Sequence, residues 1–334
     1  MGFWGKLKRP FLCLAPMEDV TDTVFRQIVA SVARPDVFFT EFTSTDGMCS
    51  PGFEKVAQRL KYCEVERPIV AQIWGKEPER FRLAAKMIAD MGFDGIDINF
   101  GCPERSIVKQ GACGAMIGDK DRVGEIIAAV REGVGKLPMS VKTRIGNKQI
   151  ATEDWIGFLL EQNLAAITVH GRTVAQMSMV TADWGEIKKV VGLRDDYMKR
   201  NLPVADASGS FHIPRVETLV IGNGDVRNYA EGMEKVGKYG VDGVMIGRGI
   251  FENIAAFSPE DRVLDINEKI DILKRHLKLW EETWGDTKNF AIMKKFVKMY
   301  VNGFEGASQI REVLMKSRTA REMVDIIRHN GNRD

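Results

Sequence analysis

The chain reads as a (β/α)8 TIM barrel followed by a small all-helical C-terminal domain, and two features predict this. Short apolar runs alternate with longer amphipathic ones through about residue 250, giving eight β-then-α units with a polar or glycine-containing exit after nearly every short run. Beyond Phe257-Ser-Pro-Glu the short runs stop and only helical periodicity continues. A doubly wound sheet is the competing arrangement, but eight even units with polar strand exits favour closure. A length of 334 residues suits a barrel of roughly 250 residues plus an appendage.

The predicted strands are 11–17, 36–42, 68–74, 95–100, 139–145, 165–170, 218–222 and 243–247. Helices fall between them, as at 78–91, which has Pro78 near its start and Gly92 at its end, and at 121–134. One unit is irregular. Residues 193–216 contain Pro203, Pro214 and a Ser-Gly-Ser tripeptide, and read as a loop excursion. Following a helix and preceding a strand, it is expected on the face away from the catalytic loops, in a structural or partner role. The barrel is assigned to 1–257 and the helical domain to 258–334. That domain holds helices at 265–284, 287–301, 307–316 and 319–329, with Gly285, Gly303 and Gly306 as punctuation.

Composition excludes several classes. Apolar residues make up 44% and charged residues 28%, as in an ordinary soluble protein. Lysine and arginine total 48 against 46 acids, so whole-chain charge names no partner. From Arg262 onward, however, 15 basic residues face 11 acidic ones, so the tail is the basic part. Five scattered cysteines form no Cys-x-x-Cys pair and suggest a reducing cytoplasm. No apolar run predicts a signal peptide or a membrane span. The four histidines, at 170, 212, 276 and 329, have no metal-ligand spacing, and no metal is expected. There is no Walker loop, and Ile246-Gly-Arg-Gly-Ile-Phe lacks the third glycine of a dinucleotide fingerprint.

Chemistry in such a barrel belongs at the strand exits. Gly95-Ile-Asp-Ile-Asn-Phe-Gly-Cys-Pro103 puts Cys102 at one of them. A thiol with an ordinary pKa of about 8.5 donates a proton at neutral pH without tuning, although cysteine is equally common as a small buried hydrophobe. Ala15-Pro16-Met17-Glu18 is a tight turn suited to pack against a flat ring, and the Gln72 amide matches a heteroaromatic edge. Lys142 and Arg144 lie in the fifth strand, and a lysine inside an apolar strand calls for an anionic partner. His170 closes the sixth strand and is ambiguous alone. The seventh and eighth exits, Gly222-Asn223-Gly224-Asp225 and Gly247-Arg248-Gly249, free backbone N–H groups for a phosphate, with Arg248 adding charge. In the tail, Lys294, Lys295 and Lys298 lie largely on one face near Phe296 and Tyr300. By charge this is either a solvated face or a contact for nucleic-acid phosphates.

Taken together these motifs resemble the tRNA-dihydrouridine synthases. The resemblance rests on Ala-Pro-Met-Glu-Asp-Val-Thr-Asp at 15–22, Thr-Glu-Phe at 40–42, Ala-Gln-Ile at 71–73 and Asn-Phe-Gly-Cys-Pro at 99–103. It continues in Val-Lys-Thr-Arg-Ile-Gly at 141–146, Val-His-Gly-Arg-Thr at 169–173, Gly-Asn-Gly-Asp at 222–225 and Ile-Gly-Arg-Gly at 246–249. It extends more weakly into Tyr300-Val-Asn-Gly-Phe-Glu-Gly-Ala-Ser. The resemblance implies an FMN-containing barrel that uses NADPH to reduce the C5–C6 bond of uridine in tRNA. Pro16, Met17, Glu18, Gln72, Lys142, Asn223, Gly224, Asp225, Gly247 and Arg248 match its FMN positions, and His170 matches one lining the flavin. Cys102 matches the proton donor and Asn99 a residue facing the uracil. The implied chemistry is hydride transfer from flavin N5 to uracil C6 and protonation of C5 by Cys102.

The resemblance also makes Arg144 and Arg172 candidate RNA contacts and favours an RNA surface on the tail lysines; the expected enzyme is cytoplasmic and monomeric. Rival readings are the same chemistry on ribosomal RNA, a flavin dehydrogenase acting on a free pyrimidine, and a non-catalytic RNA-binding barrel. The intact Cys102, Lys142 and phosphate loops argue against the last.

Overall fold

The computed structural model describes residues 2–201 and 217–330. Eight parallel strands make a ring in chain order: β1 (Phe11–Leu14), β2 (Phe38–Phe39), β3 (Ile69–Trp74), β4 (Gly95–Asn99), β5 (Met139–Arg144), β6 (Ala166–His170), β7 (Leu219–Asn223) and β8 (Gly243–Ile246). β1 pairs with β8, Leu14 opposite Ile246. On its other side the Cys13–Val37 bridge and the Leu14 N–H bond to the Val37 carbonyl (3.1 Å) join β1 to β2, which closes the barrel. Nearly all strand residues are buried, with apolar runs in β1, β2, β7 and β8 and polar side chains spaced along β4 and β5.

The second strand is shorter than the expected 36–42. The Thr40 hydroxyl accepts the Gln72 N–H at 3.1 Å in place of a backbone carbonyl, and the chain leaves the ladder there. It rejoins at Thr43–Ser44, beside the end of β3.

Helices α1 (Thr23–Val32), α2 (Pro78–Asp90), α3 (Lys120–Val134), α4 (Thr152–Glu161), α5 (Trp184–Arg200) and α6 (Tyr229–Tyr239) coat the ring. The Asp22, Asp119, Asp183 and Asn228 side chains accept from the first turns of α1, α3, α5 and α6. The expected excursion at 193–216 needs correction at its start. Residues 193–200 are the last two turns of α5, which runs through Gly192, and Arg194 holds the helix down through Asp242 (2.6 Å). The rest of that stretch, with its predicted placement, lies outside the described residues.

The tail contributes α7 (Ile266–Thr283), α8 (Lys294–Tyr300), α9 (Ala307–Leu314) and α10 (Ala320–Asn330). The helix expected at 287–301 begins later, because Asn289 caps a separate short 3-10 turn at Phe290–Met293. The tail shares the core of the barrel helices. Phe25 of α1 stacks on Phe296 at 4.8 Å, and Trp284 Nε1 donates to Asp22 at 2.9 Å. Among the described residues no helix is long and apolar enough to cross a membrane.

Candidate active site

The strand exits surround a cavity of about 840 Å³. β1 supplies Pro16 and Met17, β5 Lys142, β6 His170 and Arg172, β7 Asn223, Gly224 and Asp225, and β8 Gly247 and Arg248, so ten predicted site residues converge there. Its glycines are sterically required. Gly224 has φ +127°, and a Cβ there would sit 2.6 Å from the Ala182 methyl and 3.1 Å from His170. A Cβ on Gly249 would meet Arg227 backbone at 2.6 Å. Asn223 is fixed by donating its Nδ2 to the Met245 carbonyl at 2.8 Å.

The charges lining this cavity are unevenly paired. Burial opposes ionisation of Asp225, but hydrogen bonds from Arg172 and the Ala182 N–H, with the Arg172 and Arg248 charges, hold its carboxyl below the usual range. Arg172 also donates Nε to the Val180 carbonyl (2.6 Å) and NH1 to His170 Nε2 (2.9 Å). Its guanidinium is buried and braces His170 and Asp225 from behind. His170 Nε2 is thereby the acceptor, and its proton resides on Nδ1. Burial and then the charges of Lys142, Arg144, Arg172 and Arg248 keep this imidazole neutral.

Lys142 is the exception. Its ammonium has no hydrogen bond or ion pair among the described residues, although it faces the cavity. Burial, then Arg144, lowers its pKa to about 8, against the opposing pull of Asp97 and Cys102. A half-buried cation without a partner at a cavity wall fits an anionic or electron-rich ring edge.

Behind it runs a polar relay. Ser140 donates to Asp97 (2.6 Å), Gln72 Nε2 donates to the other Asp97 oxygen (2.7 Å), and Asn99 Nδ2 donates to Gln72 Oε1 (3.0 Å). Asn99 Oδ1 then accepts the N–H groups of Gly101 and Cys102, each at 3.0 Å. Gln72 is therefore fully buried with its amide committed to this relay. Asp97 has its pKa raised to about 6 by burial, against the hydrogen bonds of Ser140 and Gln72 and the charge of Lys142.

Cys102 opens onto an adjoining cavity of about 490 Å³, with Phe42, Trp74, Arg59, Glu104 and Met177 on its walls. Glu18 belongs to this second cavity, where it pairs with Arg59. Arg144 is buried and staples the Cys102 loop to the β6 exit, donating to the carbonyls of Gly101 (2.8 Å), Thr173 (3.0 Å) and Met177 (2.9 Å). The Cys102 thiol falls to a pKa of about 7. Cys113 is the largest cause, opposed by burial and assisted by the Glu104 backbone and Arg144.

The tail lysines are apart from both cavities. Lys295 is exposed and pairs with Asp19 at 3.2 Å, Lys298 is exposed and Lys294 is half-buried. Phe296 and Tyr300 are buried and offer no ring to a partner. Sequence reasoning missed Lys288, which reaches from the tail to Asp22 (3.0 Å) and Glu41 (3.7 Å) over the Trp284 ring. Thr-Glu-Phe had pointed to Glu41 only as part of a motif. Burial raises Glu41 to about 7, with Lys288 opposing and Asp22 and Glu18 assisting. A folded-state pKa above the usual 4.5 means the contribution is full below pH 4.5 and is lost as pH rises through 7. Relative to Glu41→Gln, the native chain is expected to lose roughly 3 kcal/mol across that window in urea unfolding. Parallel stability curves for the two proteins would refute the assignment.

The sequence matches the family described as "Dihydrouridine synthase (Dus)" over residues 13–194 and 213–330. A probable tRNA-dihydrouridine synthase of Staphylococcus aureus is 43% identical over 323 residues, covering 96% of this chain and 93% of the relative. Probable tRNA-dihydrouridine synthase 2 of Bacillus subtilis is 40% identical over 324 residues, with 96% and 94% covered. Among solved structures, morphinone reductase in complex with tetrahydroNAD aligns with a TM-score of 0.50 at 12% identity, over 86% of this chain and 95% of that one, a likeness of fold alone. With the family match spanning barrel and tail on both sides of the α5 extension, the chain belongs to the dihydrouridine synthase family.

Proposed function

We propose that this protein reduces uridines in tRNA to 5,6-dihydrouridine in the cytoplasm, as a monomer, with FMN as bound flavin and NADPH as reductant. The observation that carries the reading is Lys142, half-buried, without a hydrogen bond or ion pair among the described residues, and facing the main cavity beside the glycine exits. Pro16, Met17, Lys142 and His170 would hold the ring system, and Asn223, Gly224, Gly247 and Arg248 the phosphate. Held there, FMN would supply hydride chemistry for the uracil ring. Asp225 keeps Arg172 and Arg248 oriented. Glu18 and Gln72 support the site from outside that cavity, the first through Arg59 and the second through Asn99.

The uracil enters beside Cys102, from the second cavity. Cys102 holds the proton for C5, and the Asn99 carbonyl oxygen fixes that loop through two N–H bonds. Arg144 closes the loop by donating to the Gly101 carbonyl, and its charge would favour the developing enolate from behind that loop. A donor whose pKa lies near 7 is well matched to neutral pH. Lys294, Lys295 and Lys298 are the tail positions offered to RNA phosphates.

The relatives' names carry tRNA, which favours it over ribosomal RNA; the helical tail disfavours a free pyrimidine. The test is mass spectrometry of dihydrouridine formed by the NADPH-reduced protein on unmodified tRNA and ribosomal RNA separately. Product in tRNA is expected. Product only in ribosomal RNA, or only from free uracil or orotate, overturns the substrate.

A further inference from the structure

Cys113 sits eleven residues after Cys102, beyond the short helix Arg105–Lys109, where it opens the 3-10 turn Cys113–Met116. Its side chain is fully buried with Ile107 and Ala112, and Cys102 packs against this cluster. Three observations mark the arrangement as built. The Gly114 N–H donates to the Cys102 carbonyl at 3.3 Å. A Cβ on Gly114 would lie 2.9 Å from that same oxygen and 2.7 Å from Val174, so the turn is pressed against the Cys102 backbone. Cys113 itself has φ +52°, a left-handed conformation that a non-glycine residue adopts at a cost.

We propose that Cys113 is a positioning residue for the proton donor: its thiol donates to the Cys102 sulfur, orients it towards the second cavity, and stabilises the thiolate left after proton transfer. The inference rests on the reading of Cys102 as the donor. Its chemistry balances simply. When Cys102 S–H gives its proton to C5, the electron pair stays on Cys102 sulfur, and the Cys113 S–H remains intact as a hydrogen-bond donor to it. Burial holds the Cys113 thiol well above its ordinary range, so it stays protonated. Other charged groups face Cys102: Glu104 on its own loop, Arg144 and Lys142 from β5, and the Glu18–Arg59 pair across the second cavity. Beside Cys113, the Glu104 backbone N–H also favours the Cys102 thiolate.

The test is the pH dependence of iodoacetamide alkylation at Cys102 in the purified protein, read on the Cys102 peptide by mass spectrometry so that Cys13, Cys49 and Cys63 do not interfere. In Cys113→Ala the midpoint is expected to rise by about one unit, a tenfold loss in thiol acidity. Cys113→Ser, which retains a donor, is expected to recover at least half of the shift. A Cys113→Ala profile that superimposes on the native one, or a Cys113→Ser profile that coincides with Cys113→Ala, overturns the proposal. Should Cys113→Ala not fold, Cys113→Ser decides alone: a midpoint within half a unit of native supports the hydrogen bond, and a larger rise overturns it. Alkylation reads the sulfur itself, so this outcome is independent of whether the same proteins form dihydrouridine.

Discussion

Cys102→Ala is expected to give a protein that still binds flavin and is still bleached by NADPH, while dihydrouridine formation in RNA falls at least ~10²-fold. The residues lining the main cavity do not include Cys102, so the first half-reaction has no need of it. The second half-reaction does. In the proposed reaction, hydride arriving at C6 would leave negative charge on C5 and the adjacent carbonyl, and the second cavity offers Cys102 as a protic group. A pKa of about 7 adds a sign that can be checked. Below it the thiol carries its proton and transfer proceeds; above it the thiolate cannot donate, so native single-turnover rates should fall as pH rises through 7. The alanine variant should lack that limb. Turnover within about threefold of native in Cys102→Ala would remove the thiol from the mechanism.

The barrel was legible because each strand is a short apolar run and each exit carries a different polar signature. The departures have local causes invisible to periodicity. At Thr40 a hydroxyl substitutes for a backbone carbonyl and shortens β2. At Gly192 a residue that usually ends a helix is carried inside α5, because Arg194 beyond it is anchored on Asp242. In the site, the glycine exits of β7 and β8 do reach the wall of the main cavity, as their place in the seventh and eighth units led one to expect. What a linear reading could not supply was direction. Gln72 and Arg172 were taken to face a ligand or RNA, yet the first points into the Asp97–Asn99 relay and the second braces His170 and Asp225. Glu18, two residues from Pro16, turns into the neighbouring cavity toward Arg59. Lys288 and Cys113 were missed for one reason. Each acts through a contact made by folding, with no motif of its own.

Glu66→Ala is expected to destabilise the protein by about 3–5 kcal/mol, because it leaves the Arg26 charge buried without its partner. Both side chains are fully buried and bonded to each other. The other Glu66 oxygen accepts from the Thr23 hydroxyl (2.5 Å) and the Cys63 N–H (3.0 Å). Arg26 in turn donates to the carbonyls of Thr21 (2.5 Å) and Lys61 (2.7 Å). The Thr21 hydroxyl accepts the Met17 N–H at 2.8 Å, so the pair also holds the β1 exit at the wall of the main cavity. Loss of Glu66 should thus lower the urea midpoint and weaken flavin retention together. The double variant Arg26→Met/Glu66→Leu separates the causes. It removes the stranded charge, so at least half of the lost stability should return. It also removes the Arg26 donor to the Thr21 carbonyl, so flavin retention should stay weak. A single variant costing less than about 1 kcal/mol would mean that water reaches Arg26 and the pair is not the brace described, since exposed pairs are worth only about that much.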